Sequence, residues 1–158
     1  MAQREMAMKR DMQTSGMILL LSSEPVVGSV LKQVLEDGGY TVILSGNLGE
    51  AVDRLAECSF DLLITHPYIA NIPGHEAARY LHAKNPRMGV MIIAGLLEDD
   101  RLRNRADLEG FENFPKPFSG GEFLNRVHDL LRSVRRRARR EKGVQSELAG
   151  RRGLGASC

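Results

Sequence analysis

Five short apolar runs alternate with segments of helical period between residues 17 and 134, and this alternation restricts the fold more than any single residue does. The runs are Met17–Leu21, Tyr40–Leu44, Asp61–Thr65, Val90–Ile93 and Phe111–Pro115. Most are apolar throughout rather than at every second position, as strands buried on both faces of a parallel sheet must be. Parallel neighbours need crossover connections, and right-handed crossovers set helices on both sides. The predicted fold class is therefore α/β, a doubly wound five-stranded parallel sheet with helices on both faces. Such a sheet collects functional groups at the carboxyl ends of its strands.

The segments between the runs carry helix boundaries. Ser23 is a candidate cap and Pro25 suits the first turn of a helix with Val26, Val27, Val30, Leu31, Val34 and Leu35 on one face, stopped by Gly38-Gly39. Asn47 can cap a helix carrying Leu48, Ala51, Val52 and Leu55. Gly74 leads into a helix with Ala77, Ala78 and Leu81 that ends before Asn85-Pro86. Leu97–Glu109 reads as a polar helix, and Ser119 can cap a last helix with Phe123, Val127, Leu130, Leu131 and Val134 on one side. The predicted organisation is a disordered or weakly helical extension over residues 1–16, one domain over 17–134, and a basic helix extension with a disordered tail over 135–158, irregular after Gly143.

Net charge is only +2, but it is unevenly spread. Residues 17–131 carry ten Lys/Arg against sixteen Asp/Glu, while residues 132–158 carry nine Lys/Arg against Glu141 and Glu147. The run Arg132–Lys142 has two readings: weak contact with nucleic acid or another anionic surface through residues 132–152, or a solvated extension of the last helix. No aromatic residues interleave it, so base stacking is not indicated. No window approaches the roughly 18 apolar residues of a membrane span. The first sixteen residues are too polar for a signal peptide. Cys58 and Cys158 read as reduced thiols, which fits a cytoplasmic protein.

The strand ends predicted to converge carry Ser22-Ser23-Glu24, Thr65-His66, Ala94-Gly95 and Lys116-Pro117. MILLLSSEP ends the first run, PYIANIP fills the interval from His66 to Gly74, and KPF stands at residues 116–118. In this order and spacing they resemble the receiver domain of two-component response regulators, the CheY-like family, over about Met17 to Leu131. The resemblance implies a flavodoxin-like sheet and a phosphoryl site. In that site acidic residues after the first strand hold Mg²⁺, and an aspartate after the third strand accepts the phosphoryl group. A Thr/Ser after the fourth strand reports it, and a lysine after the fifth strand neutralises it.

This chain departs from that pattern at most of the reactive positions. Ser22 and Ser23 stand at the acidic pair, His66 at the phosphoacceptor and Ala94 at the switching hydroxyl, while Lys116 matches the lysine. Glu24 is a weak metal candidate whose simpler role is to complement a helix dipole. Gly110–Lys116 is one residue shorter than the resemblance implies, so the aromatic switch position falls on Asn113 or Phe114. His66 has three readings: the polar remnant of a lost aspartate, a phosphohistidine acceptor near Lys116, or a metal ligand without a visible His/Cys cluster around it. His75 and His82 share roughly one face of the third helix and read as exposed. Lys116 reads as an oxyanion partner, or as a lysine paired with Glu24 or a backbone carbonyl. By resemblance, the Lys116-Pro117 bond is cis.

Taken together, these residues predict an atypical stand-alone receiver, a pseudo-receiver, with no catalytic residue, metal or cofactor and no enzymatic activity. Its alternatives are a phosphotransfer protein using His66 and a binder of anionic surfaces through its tail. The expected partner is a histidine kinase or a downstream target. That partner would meet the face made by the fourth helix, the fifth strand and the last helix, about Leu97 to Val134, which could also form a homodimer.

Overall fold

The apolar runs become strands where they can bury both faces at once. The computed structural model describes residues 16–95, 111–116 and 119–149. The predicted helix at Leu97–Glu109, the extension up to residue 15, the Lys116-Pro117 bond and the tail from Gly150 lie outside them. In chain order the elements are β1 (Met17–Leu21), α1 (Pro25–Asp37), β2 (Thr41–Ser45), α2 (Leu48–Glu57) and β3 (Leu62–Thr65). A two-stranded hairpin of β4 (Tyr68–Ile69) and β5 (Ile72–Pro73) follows, then α3 (Gly74–Lys84), β6 (Gly89–Gly95), β7 (Glu112–Lys116) and α4 (Gly120–Ala149). The main sheet has five strands in the order β2-β1-β3-β6-β7. Every pairing in it is parallel, as the sequence pattern predicts.

Successive side chains of a strand point to opposite faces, so each run feeds two cores. Ile18, Leu20, Leu62, Ile64, Met91 and Ile93 pack against Leu31 and Leu35 of α1 and Phe123, Val127 and Leu131 of α4. Leu19, Leu21, Leu63, Val90 and Ile92 pack on the other face against Ala51 of α2 and Ala77, Ala78 and Leu81 of α3. Each such large side chain contributes about 1.5–3 kcal/mol of burial free energy. Small residues set the closeness of α4. A Cβ on Gly89 would stand 2.7 Å from a Val134 methyl, and one on Gly38 would stand 2.6 Å from a Leu124 methyl.

The amino-terminal edge of the sheet is held by one acid. Asp61 Oδ2 accepts from Met17 N at 2.8 Å, Asp61 N donates to Met17 O at 2.8 Å, and Gly89 N donates to Asp61 O at 3.0 Å. Three strands thus start in register on one residue. Nearby, Asn85 Nδ2 donates to Phe60 O at 3.2 Å and closes the turn after α3.

Several local predictions are corrected. Glu24, not Ser23, is the N-cap of α1, and it makes no side-chain cap bond; glutamate is not among the short polar residues that favour this position. Val26 and Val30 of α1 are exposed, since they lie about 140° and about 100° from the centre of the stripe through Val27, Leu31 and Leu35. Asn47 and Ser119 do cap, accepting from Glu50 N at 2.9 Å and Glu122 N at 3.1 Å. The helix that starts after Ser119 runs through Ala149, beyond Gly143 where the sequence predicts an irregular tail. One glycine costs a helix only about 1 kcal/mol, and the Gln, Glu, Leu and Ala that follow are good helix formers. Cys58, predicted to be a reduced thiol, is disulfide-bonded, while Cys158 lies outside the described residues. Sequence position carries no information about whether two sulfurs meet in space.

Candidate functional site

The chain leaves β1 toward β2 on one side and later returns to build β3 on the other, so the strand order reverses between β1 and β3. Such a switch point opens a crevice outside the carboxyl ends of the strands. A cavity of about 200 Å³ lies there, lined by Ser22, Ser23, Glu24, Val27, His66, Pro67 and Tyr68. The structure therefore brings together Ser22, Ser23, Glu24 and His66, four of the residues singled out from sequence.

Backbone contacts fix each of these residues. Ser22 is buried, and its amide donates to Ser45 O at 3.0 Å, which continues the β1–β2 ladder past Leu21. Its hydroxyl donates to Glu24 O at 3.3 Å and accepts from Glu24 N at 3.4 Å, so both its roles are spent on the turn into α1. Ser23 is exposed and accepts from Ala70 N at 3.4 Å, tying the hairpin tip to the end of β1. Ala70 presents that amide from a left-handed conformation, φ 56°, which is uncommon for a residue with a Cβ. His66 is half-buried directly after β3, and Pro67 is buried behind it. Gly74 closes the loop: its amide donates to Pro67 O, and a Cβ there would overlap the carbonyl oxygen of His66. Only glycine permits α3 to begin so close under His66.

Ala94 and Lys116 stand at the ends of the next two strands. Their backbones are registered by the β6–β7 pairs Ala94↔Pro115 and Gly95↔Lys116. Of the two candidates for the aromatic position, Phe114 is buried in the core, 5.9 Å from the ring of Phe123. Glu112 of β7 is joined to α4 by an ion pair with Arg126.

His75 corrects the prediction of exposed helix histidines. It is only 4% exposed, in the first turn of α3, and neither ring nitrogen has a hydrogen-bond partner. The signal was present, since His75 and the buried Ala78 are three apart and share one face. His82 is half-buried, its ring edge-on to Phe111 at 5.7 Å. Ser45 Oγ and Thr65 Oγ1, at the ends of β2 and β3, are also buried without partners. Sequence reasoning passed over Ser45, whose only signal is a polar residue at the end of an apolar run.

A magnesium ion does not fit this donor set. The ion takes hard oxygen ligands, usually carboxylates. Here the Ser22 hydroxyl is committed to Glu24, the Ser23 hydroxyl receives the Ala70 amide, and among the described residues Glu24 is the one carboxylate on the cavity wall. Among the described residues, no three His, Cys, Asp or Glu side chains form a group that could hold a metal ion. No described helix is long and apolar enough to cross a membrane.

The sequence profile of the response regulator receiver domain matches residues 18–128. This chain belongs to the response regulator receiver family. Among curated proteins similar to this receiver, the transcriptional regulatory protein CpxR of Escherichia coli K12 is 30% identical over 115 residues, covering 73% of this chain and 49% of CpxR. The transcriptional regulatory protein AruR of Pseudomonas aeruginosa is 27% identical over 125 residues, covering 75% of this chain and 50% of AruR. The receiver thus spans about half the length of these relatives. Among solved structures, a CheY-like receiver domain protein from Methanospirillum hungatei superposes with a TM-score of 0.71 at 20% identity, over 77% of this chain and 97% of that one. A signal receiver domain from Pseudomonas fluorescens gives 0.69 at 25% identity, over 75% and 96%. Membership makes this a receiver domain of the two-component response regulator family.

Proposed function

We propose that this receiver is a pseudo-receiver: it signals through protein–protein contact in the cytoplasm, without ordinary aspartyl phosphorylation. The observation that carries this reading is the wall of the switch-point cavity, where Ser22, Ser23 and His66 stand in place of an acidic pair and an acceptor aspartate. An imidazole and two hydroxyls engaged by backbone groups supply neither the charge for Mg²⁺ nor the carboxylate that forms an acyl phosphate. Ala94 brings no hydroxyl to follow a phosphoryl group. The partner is a histidine kinase or a downstream target. The last helix up to Val134 and the edge strand β7 supply the described part of its contact face, braced by the Glu112–Arg126 ion pair. The same face would serve a homodimer.

The test is a titration of the full chain with beryllofluoride and Mg²⁺, followed by amide NMR at residues 22, 66 and 94. No shifts are expected at concentrations that saturate an ordinary receiver. The triple variant Ser22→Asp, Ser23→Asp, His66→Asp serves as the gain-of-binding control. Shifts in the unaltered protein would overturn the reading. An acid-labile label on His66 after treatment with phosphoramidate would replace it with histidine phosphotransfer.

A further inference from the structure

The switch-point cavity, about 200 Å³, has room for about seven waters at about 30 Å³ each, the volume of a small organic molecule. Pro67 and Tyr68 form its loop wall, and Glu24 and Val27 form its helix wall. The loop wall is fixed before anything enters. Gly74 packs against the His66 carbonyl beneath it, and the hairpin tip reaches Ser23 through Ala70, which holds a left-handed backbone, φ 56°. Strain of that kind clusters at ligand clamps and persists only where the surroundings over-determine it. The wall is partly apolar: Tyr68 lines it yet is 53% exposed, an aromatic residue left in water beside a cavity. Charge selects what fits there. Among the described residues, the Glu24 carboxylate caps no helix amide and has no hydrogen-bond or ion-pair partner. No described lysine or arginine lines the cavity with it. Residues 17–131 carry ten Lys/Arg against sixteen Asp/Glu, so the surrounding field has the same sign. The N-terminus of α1 sets about half a positive charge against these, less than the one carboxylate supplies.

We propose that this cavity binds a small organic ammonium ion, its apolar body on Tyr68, Pro67 and Val27 and its cationic head toward Glu24. A carboxylate beside an aromatic ring holds an ammonium through charge-assisted hydrogen bonds and through the negative face of the ring. An anion meets repulsion from Glu24, and a neutral ligand leaves that carboxylate facing an apolar body without a counter-charge. A metal ion gains nothing from Tyr68, Pro67 and Val27 and finds a single carboxylate among the described residues. The bound amine bridges the start of α1 and the loop after β3. Occupancy of the cavity is then the input of a receiver that takes no phosphoryl group, and in that respect the proposal rests on the pseudo-receiver reading.

The experiment is a titration of the full chain with 2-phenylethylammonium at neutral pH, read by amide NMR. Parallel arms use neutral 2-phenylethanol and anionic phenylacetate, which share the ring and differ in charge. The ammonium is expected to shift the amides of residues 22–24, 66 and 68 with a dissociation constant of roughly 10⁻⁴–10⁻³ M, the range open to about nine non-hydrogen atoms. The alcohol and the acid should bind about tenfold more weakly or not at all. Glu24→Gln should weaken the ammonium by about tenfold or more. That variant should keep its helical circular dichroism, since the Glu24 side chain makes no cap bond. Tyr68→Ala should weaken it about fivefold. Glu36→Gln, which removes the same charge from an exposed position on the same helix, should leave affinity within about twofold. No binding, equal binding of the three probes, shifts centred elsewhere, or equal loss in Glu24→Gln and Glu36→Gln would each overturn the ammonium site while the pseudo-receiver reading stands. Shifts with beryllofluoride and Mg²⁺ would overturn both.

Discussion

The two rims of the central sheet are built by opposite rules. At the amino-terminal rim, Asp61 engages β1 and β6 through its carboxylate, amide and carbonyl, and Asn85 closes the adjacent turn. At the carboxyl-terminal rim, Ser45 Oγ, Thr65 Oγ1 and both ring nitrogens of His75 are buried without partners, and the switch-point cavity opens at the same end of the sheet. Buried polar groups in proteins are nearly always paired, so a cluster of exceptions marks a region not optimised for stability alone. The amino rim registers the strands. The carboxyl rim holds an open crevice and tolerates unpartnered polar atoms in the core beneath that end of the sheet.

The largest expected effect would blur that contrast, because it places a strict steric demand on the loose rim. Gly74→Ala should destabilise the protein by about 3 kcal/mol or more, since the added Cβ overlaps backbone that cannot move aside. Denaturant midpoints at constant slope would measure it; a loss below about 1 kcal/mol would show that the loop under His66 is free to shift. Asp61→Ala should cost about 2 kcal/mol through the lost charge-assisted bond to Met17 N, read in the same way. A smaller loss would mean that the amino rim is held by the strand ladders alone. Thr65→Val should reverse the sign, stabilising by up to about 1 kcal/mol, because it replaces an orphan hydroxyl with a methyl of similar shape. Destabilisation in thermal melts would reveal a partner for that hydroxyl. Ser23→Ala should change stability by no more than about 0.5 kcal/mol, since its contact with Ala70 N is long and exposed. A larger change would make the hairpin tie a structural brace.

Much of the interior was legible in the residues because burial on both faces leaves a direct imprint. MILLL and LLIT read as parallel strands, and Asn47 and Ser119 read as caps, because each signal is local. The rim was less legible. The hairpin Tyr68–Pro73 reads as loop because its strands are two residues each and its tip rests on Ser23, 47 positions away. Ser23 reads as a cap, but that hydroxyl is used across the cavity instead. His75 reads as exposed because solvent contact depends on what lies above a helix face, which periodicity does not encode.

Sequence alone determined the alternation of elements, the apolar faces, the residue types at each strand end and the concentration of arginine after Val134. Those follow from side-chain chemistry and from periods of two and 3.6 residues, which every local segment carries. Only the tertiary structure decided that Ser22, Ser23, Glu24 and His66 wall one cavity, that Asp61 registers the opposite rim, and that the last helix carries its arginines beyond the core. Each of those depends on contacts between residues distant in the chain, where strand order and packing, rather than local propensity, set which groups meet.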